Sequence, residues 1–149
     1  MKGSVYLDTC IVIDLVEGRP DQQDCLSRAL EGQHLVSSDL VRLESRVGAL
    51  RKRQNEYLET YRRLFDRCVT VPLDRAVFDL ATDLRVRHGL KTPDALHLAA
   101  ALHVACEELW TNDRRLASAA EGRIQILTWD GLTEKAQRKQ PSSVNPPKD

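Results

Sequence analysis

The sequence predicts an α/β fold, a parallel sheet with helices packed on both faces. Three observations carry that reading. Short runs of β-branched and aliphatic residues alternate with longer stretches of helical periodicity, the order that builds strand-helix-strand crossovers. The first run, Ser4-Val5-Tyr6-Leu7, shows no polar alternation, as expected of a strand buried on both faces. It passes at Asp8 straight into an apolar stretch of helical character, leaving a carboxylate at the strand's carboxyl end, where open α/β sheets bind ligands.

A chain of 149 residues has the size of one domain, and such a domain buries about 68–70% of its unfolded surface without staples. Lys+Arg and Asp+Glu number 22 each. The molecule as a whole therefore presents no strong field to a nucleic acid or an anionic membrane, and any nucleic-acid site has to be local. The longest apolar runs are too short for a bilayer span, and Met1-Lys2-Gly3 leads into a strand rather than a signal peptide. The expectation is a soluble, cytoplasmic protein. Cys10, Cys25, Cys68 and Cys106 lack the paired short spacings of a zinc knuckle or a disulfide framework and read as buried free thiols in a reducing compartment. Cys10 lies beside Asp8, but no anion-binding loop with a spaced Arg comes after it, which favours a core cysteine over a nucleophile.

After the first strand, residues 11–17 continue as a short helix broken at Gly18-Arg19-Pro20. Asp21 is expected to cap a second helix running to Leu30, with Leu26, Ala29 and Leu30 as its apolar stripe and Gly32 as its stop. His34-Leu35-Val36-Ser37 reads as a second buried strand, with Ser38 or Asp39 capping a third helix. Along that helix Leu40, Leu43, Val47 and Leu50 recur at helical spacing. Glu44 lies on the same side. A carboxylate there either reaches water at the edge of the face or is paired or bound to a metal, since unpaired burial is costly.

Residues 42–67 concentrate positive charge on one helical arm, and Tyr57, Leu58, Tyr61 and Leu64 interleave with it at helical spacing. Residues 68–73 read as a third strand closed by Pro72. Asp74 caps the next helix, whose Val77, Leu80, Ala81 and Leu84 face the core and whose basic last turn precedes Gly89. Thr92 is the expected cap of a further helix with Pro93 at its first position; residues 95–106 are small and apolar nearly all round, so this helix is buried against the sheet. His97 and His103, six positions apart, do not share a face and read as core or rim histidines rather than ligands. Leu109-Trp110-Thr111 makes the fourth strand, ending at Asn112-Asp113. Residues 114–120 form a short helix, and Ile124-Gln125-Ile126-Leu127 forms the last strand. The domain is read as residues 1–132, with a polar, proline-bearing tail, residues 133–149, expected to be disordered.

Asp8 and Asp113 then stand at carboxyl ends of strands, Asp94 in the first turn of a buried helix, and Glu44 on an apolar helix face. Each has an ordinary alternative role as a helix cap, dipole partner or strand end. Together, acids at one rim repel one another without a cation, and oxygen ligands with few or no histidines suit Mg²⁺ or Mn²⁺.

These residues also carry a family resemblance. Val5-Tyr6-Leu7-Asp8-Thr9, Glu44 after the second strand, Thr92-Pro93-Asp94-Ala95-Leu96-His97-Leu98-Ala99-Ala100-Ala101 and Trp110-Thr111-Asn112-Asp113 resemble, in order and spacing, the motif series of PIN-domain nucleases. Within that family the short VapC-type toxins of toxin-antitoxin pairs are the nearest match. The resemblance implies a three-layer α/β/α sandwich with a central parallel sheet of about five strands. It implies a metal-dependent endoribonuclease whose acidic site falls on Asp8, Glu44, Asp94 and Asp113. Thr9 and Thr111 match neighbouring polar positions that support the ligands or metal-bound water. The expected substrate is structured RNA such as tRNA or rRNA, with Lys91 and the Arg51, Lys52 and Arg53 cluster as candidate backbone contacts. A homodimer and a neutralising antitoxin protein are the implied partners, with Tyr57, Tyr61 and Leu64 as the candidate antitoxin surface. Two other classes stay open: a haloacid-dehalogenase-type phosphatase, which needs an Asp where Cys10 stands, and a non-catalytic interaction module built on the same fold.

Overall fold

The computed structural model describes residues 3–139. Among these, five strands and eight helices come in the order β1 (Ser4–Leu7), α1 (Thr9–Glu17), α2 (Pro20–Leu30), β2 (His34–Ser38), α3 (Asp39–Arg51), α4 (Asn55–Asp66), β3 (Val69–Val71), α5 (Arg75–His88), α6 (Thr92–His103), β4 (Glu108–Trp110), α7 (Arg115–Ala120), β5 (Gln125–Leu127) and α8 (Trp129–Arg138). All strand pairings are parallel, and the order across the sheet is β3-β2-β1-β4-β5. The predicted α/β class and central parallel sheet are therefore what the chain adopts.

The central place of β1 is set by its side chains: all four of its residues are buried, so neither face meets water. The chain steps outward from β1 to β2 and β3, then crosses to the other side of β1 for β4 and β5. Right-handed crossovers put the helices of the two halves on opposite faces. The contacts agree: α1 packs on α2, α3 and α4, and α2 on α8, whereas α5, α6 and α7 pack on one another. The most buried helix is α6, where Ala95 to Ala101 all lie inside, because four alanines let it sit close against α5 and the sheet. Among the described residues no helix is long and apolar enough to cross a membrane.

Several local expectations are corrected. The second helix starts at Pro20 with Arg19 as cap, and Gln22 reaches back to the Arg19 N–H; Asp21 is one position inside, where it favours the helix dipole. Lys91, not Thr92, caps α6. The basic arm is two helices, broken at residues 52–54, where Arg53 takes φ of 52°. On α3 the buried stripe is Val41, Ser45 and Ala49, while Leu43 and Leu50 are 62% and 56% exposed. Small side chains at four-residue spacing let α3 approach its neighbours, and the bulkier leucines turn outward. Tyr61 and Leu64 are core residues, Tyr61 donating to Glu17, so they form no contact surface; of that trio Tyr57 alone is half-buried.

The polar segment after Leu132 is helical through Arg138, and the rest of the expected tail, residues 140–149, lies outside the described residues. Leu132 and Ala136 bury against α2, and Lys139 caps the end of α2 by donating to the carbonyls of Ala29 and Glu31. Lys135 donates to buried Glu108 on β4 at 2.6 and 3.0 Å. Truncating one member of such a pair leaves the other charge without its partner. Lys135→Ala is expected to cost about 3 kcal/mol in denaturant unfolding, and Glu108→Leu with Lys135→Met to recover most of it. Equal midpoints for wild type and Lys135→Ala would show that α8 is not anchored in this way.

Candidate active site

The direction of strand order reverses between β1 and β4, and their adjoining carboxyl ends make the crevice where ligands bind in such sheets. Leu7 pairs with Trp110, and the Asp8 N–H continues the ladder to the Trp110 carbonyl at 3.0 Å. This register sets Asp8 beside Thr111. Thr111, fully buried, donates its hydroxyl to Asp8 Oδ2 at 2.6 Å and accepts the Asp113 N–H at 3.1 Å. Asp8 Oδ1 accepts the Thr9 N–H at 2.7 Å, so the carboxylate also caps α1.

Glu44 reaches the same place from α3. Its Oε1 accepts from Thr9 Oγ1 at 2.9 Å and lies 2.7 Å from His97 Nε2. The same ring nitrogen is 3.5 Å from Asp8 Oδ1. His97, with burial competing against it and Thr9 assisting, holds the Glu44 carboxyl below its usual range. Both readings of Glu44 hold in part: Oε1 is paired, while the side chain keeps contact with water at the edge of the face.

Asp94 projects from the first turn of α6. Burial, then the negative charges of Asp113 and Asp8, pushes its carboxyl above the usual range, with Arg115 and His97 opposing. Asp113 goes the other way. Arg115 donates to both of its oxygens, at 3.0 and 2.9 Å, and its N–H bonds Oδ1 at 2.9 Å, which holds Asp113 low. Lys91 also lowers Asp113 by its charge, and with Asp94, Arg115, His88 and Ser118 it lines a groove of about 350 Å³. A cavity of about 380 Å³ among Leu15, Leu30, Leu35 and Leu64 lies at the amino ends of the strands, away from these acids.

The structure thus brings Asp8, Glu44, Asp94 and Asp113 to one edge, with Thr9 and Thr111 between them. Lys91 joins them. Arg51, Lys52 and Arg53 are exposed at the far end of α3, about 10 Å further along the helix than Glu44. The sequence reading missed His97 as a site residue and missed Arg115. One signal pointed to His97: it stands three positions after Asp94, which puts both on one side of a helix. For Arg115 the signal was its place two residues after Asp113, within reach of an Asx turn. Cys10 contributes no nucleophile, because burial and Asp8 push its thiol up to about 11.

A donor set of carboxylates suits a hard divalent ion. Among the described residues, however, no three of His, Cys, Asp and Glu converge tightly enough to enclose one unaided. Asp8 and Asp94 fit an ion that keeps several of its waters, as Mg²⁺ does. The net cost of charging Asp94, which Arg115 and His97 offset only in part, is what such an ion would relieve, while Asp113 already has a cationic partner in Arg115.

A PIN-domain family model matches residues 5–122 of this chain. No curated protein sequence matches it. Among solved structures it is similar to VapBC2 from Rickettsia felis bound to a DNA fragment from their promoter, at 16% identity and a TM-score of 0.67, covering 85% of this chain and 99% of that one. It is similar to a toxin-antitoxin complex from Klebsiella pneumoniae at 26% identity and a TM-score of 0.66, covering 83% and 96%. VapBC-1 from nontypeable Haemophilus influenzae matches at 18% identity and 0.66, covering 85% and 98%. A family model spanning most of the chain and a fold shared over nearly the whole of each of these structures lead to one conclusion: the chain belongs to the PIN-domain family.

Proposed function

We propose that this chain is a VapC-type toxin, an endoribonuclease that needs Mg²⁺ or Mn²⁺ and hydrolyses phosphodiester bonds in structured RNA such as tRNA or rRNA. The observation that carries the reading is that Asp94 lies near enough to Asp113 and Asp8, at the switch-point end of the sheet, for their charges to add to burial in raising its carboxyl. Asp8, Asp94 and either Glu44 or Asp113 would hold the ion, and Thr9 and Thr111 keep Glu44 and Asp8 in place. A bound divalent ion supplies a water of lowered pKa and offsets charge on the scissile phosphate. Lys91 draws the RNA backbone along the groove beside Asp94, and Arg51, Lys52 and Arg53 serve a more distant stretch of it. Exposed loops of folded RNA, whose bases can be splayed, are the sites such a shallow rim can reach.

The similarity to toxin-antitoxin complexes supports a cognate antitoxin as partner, with a homodimer as the assembly and the cytoplasm as the place of action. One specific observation favours the second reading, a PIN-like interaction module of weak catalytic power: Arg115 occupies both oxygens of Asp113. The deciding experiment incubates purified chain with tRNA and rRNA and maps new 5′ ends, with EDTA and with Mn²⁺ restored. Discrete cuts that vanish with EDTA and return with Mn²⁺ support the nuclease; no cut with Mn²⁺ present supports the interaction module. Lys91→Ala is expected to weaken RNA binding uniformly across sequences and to reduce the salt slope by about 1. An unchanged slope in titrations at several ionic strengths would remove Lys91 from the RNA path.

A further inference from the structure

His97 lies on α6, 3% exposed. Its Nδ1 is 2.8 Å from Tyr6 Oη, and Tyr6 Oη is 2.8 Å from Ser38 Oγ. Ser38 Oγ in turn accepts the Val41 N–H at the start of α3. The other ring nitrogen, Nε2, is 2.7 Å from Glu44 Oε1. A carboxylate only accepts hydrogen bonds, so Nε2 carries the hydrogen. In the neutral ring Nδ1 is then the acceptor, Tyr6 donates to it, and Ser38 donates to Tyr6. Each polar atom along this path is satisfied and each hydrogen has one direction. The path starts at Ser38, the last residue of β2 and the cap of α3, runs through Tyr6 of β1 and His97 of α6, and ends at Glu44 within α3.

Glu44 Oε1 also takes the Thr9 hydroxyl at 2.9 Å. Two donors thus occupy Oε1, while no donor among the described residues reaches Oε2, and the Glu44 side chain keeps 29% exposure. His97 is equally committed, since the Nε2 lone pair is used by its hydrogen and Nδ1 accepts from Tyr6.

We propose that Tyr6 and His97 are positioning residues for the acidic site: they fix the Glu44 carboxylate so that only Oε2 is offered to a divalent cation or its bound water, and His97 is no metal ligand. This rests on the nuclease reading above. A phenol, an imidazole and a serine with no exposure to speak of converge on this acid, with His97 Nε2 closer to Glu44 Oε1, at 2.7 Å, than to Asp8 Oδ1, at 3.5 Å; groups that orient a metal's ligands are commonly worth 10- to 100-fold in its affinity.

The test is calorimetric titration of MnCl₂ into the RNA-free chain, for wild type, Tyr6→Phe, His97→Gln and His97→Leu, each beside its thermal unfolding curve. Tyr6→Phe removes one oxygen and is expected to weaken Mn²⁺ by about 10- to 100-fold. His97→Gln keeps an N–H donor for Glu44 and is expected to lose less than His97→Leu. Should His97→Leu fail to fold, the near-isosteric Tyr6→Phe still decides. Folded variants that bind Mn²⁺ as tightly as wild type, even with a lowered melting temperature, overturn the relay and leave the nuclease reading standing. A wild type that binds no Mn²⁺ and cuts no RNA overturns both.

Discussion

Asp94→Asn is expected to reduce RNA cleavage by more than about a hundredfold, because even groups one step removed from a metal are worth 10- to 100-fold. The fold should survive unharmed. Asp94 sits in the first turn of α6, where its ordinary structural service would be to the helix dipole. Against that stand burial and the charges of Asp113 and Asp8, which raise its carboxyl above the usual range. A carboxyl that is easier to protonate when folded binds its proton more tightly in the native state, so stability falls as pH rises from the ordinary value through the raised one. The penalty is fully present once the pH exceeds the raised value, and the neutral amide escapes it. Thermal unfolding of Asp94→Asn without metal should therefore match or exceed that of wild type, and the gap should close in acid. A variant that cuts RNA at the wild-type rate would remove Asp94 from the site.

Trp110→Ala is expected to be the most destabilising single change, at about 3–5 kcal/mol for a large core aromatic. Trp110 is fully buried on β4, pairs with Leu7 of β1, and donates its indole N–H to Glu108 at 3.4 Å. The loss is a large part of the roughly 5–15 kcal/mol that holds a domain together. The next residue, Thr111, carries the bond to Asp8, so the cavity would also loosen the site. Urea unfolding with the wild type and Trp110→Phe alongside measures this, and a midpoint shift smaller than that of Trp110→Phe would contradict the packing described.

The parallel sheet, and the places of Asp8 and Asp113 at carboxyl ends of strands, were readable in the sequence because alternating strands and helices dictate them, whereas the strand order that makes β1 and β4 neighbours was not. Asp94 could be placed because α6 is apolar nearly all round and must lie on the sheet. His97 was not readable as a site residue: the question put to it was whether His103 shared its face, whereas its partner Glu44 comes from a different helix. The break between α3 and α4 carries neither glycine nor proline, and Arg53 adopts the left-handed conformation with no residue type to announce it. Helix α8 hid behind polar composition, although Trp129, Leu132 and Ala136 already keep helical spacing. Tyr61 and Leu64 were given to a partner surface, but a stripe of that kind fits the protein's own core equally well, and α1 claims it.

Thermal unfolding of the wild-type chain with and without Mn²⁺ reaches the central claim most directly, because an ion that joins Asp8 to Asp94 binds the folded chain alone. At a free concentration a hundred times the dissociation constant, wild type is expected to gain about 2.7 kcal/mol, and Asp94→Asn little. Identical curves for the wild type with and without the ion would contradict it.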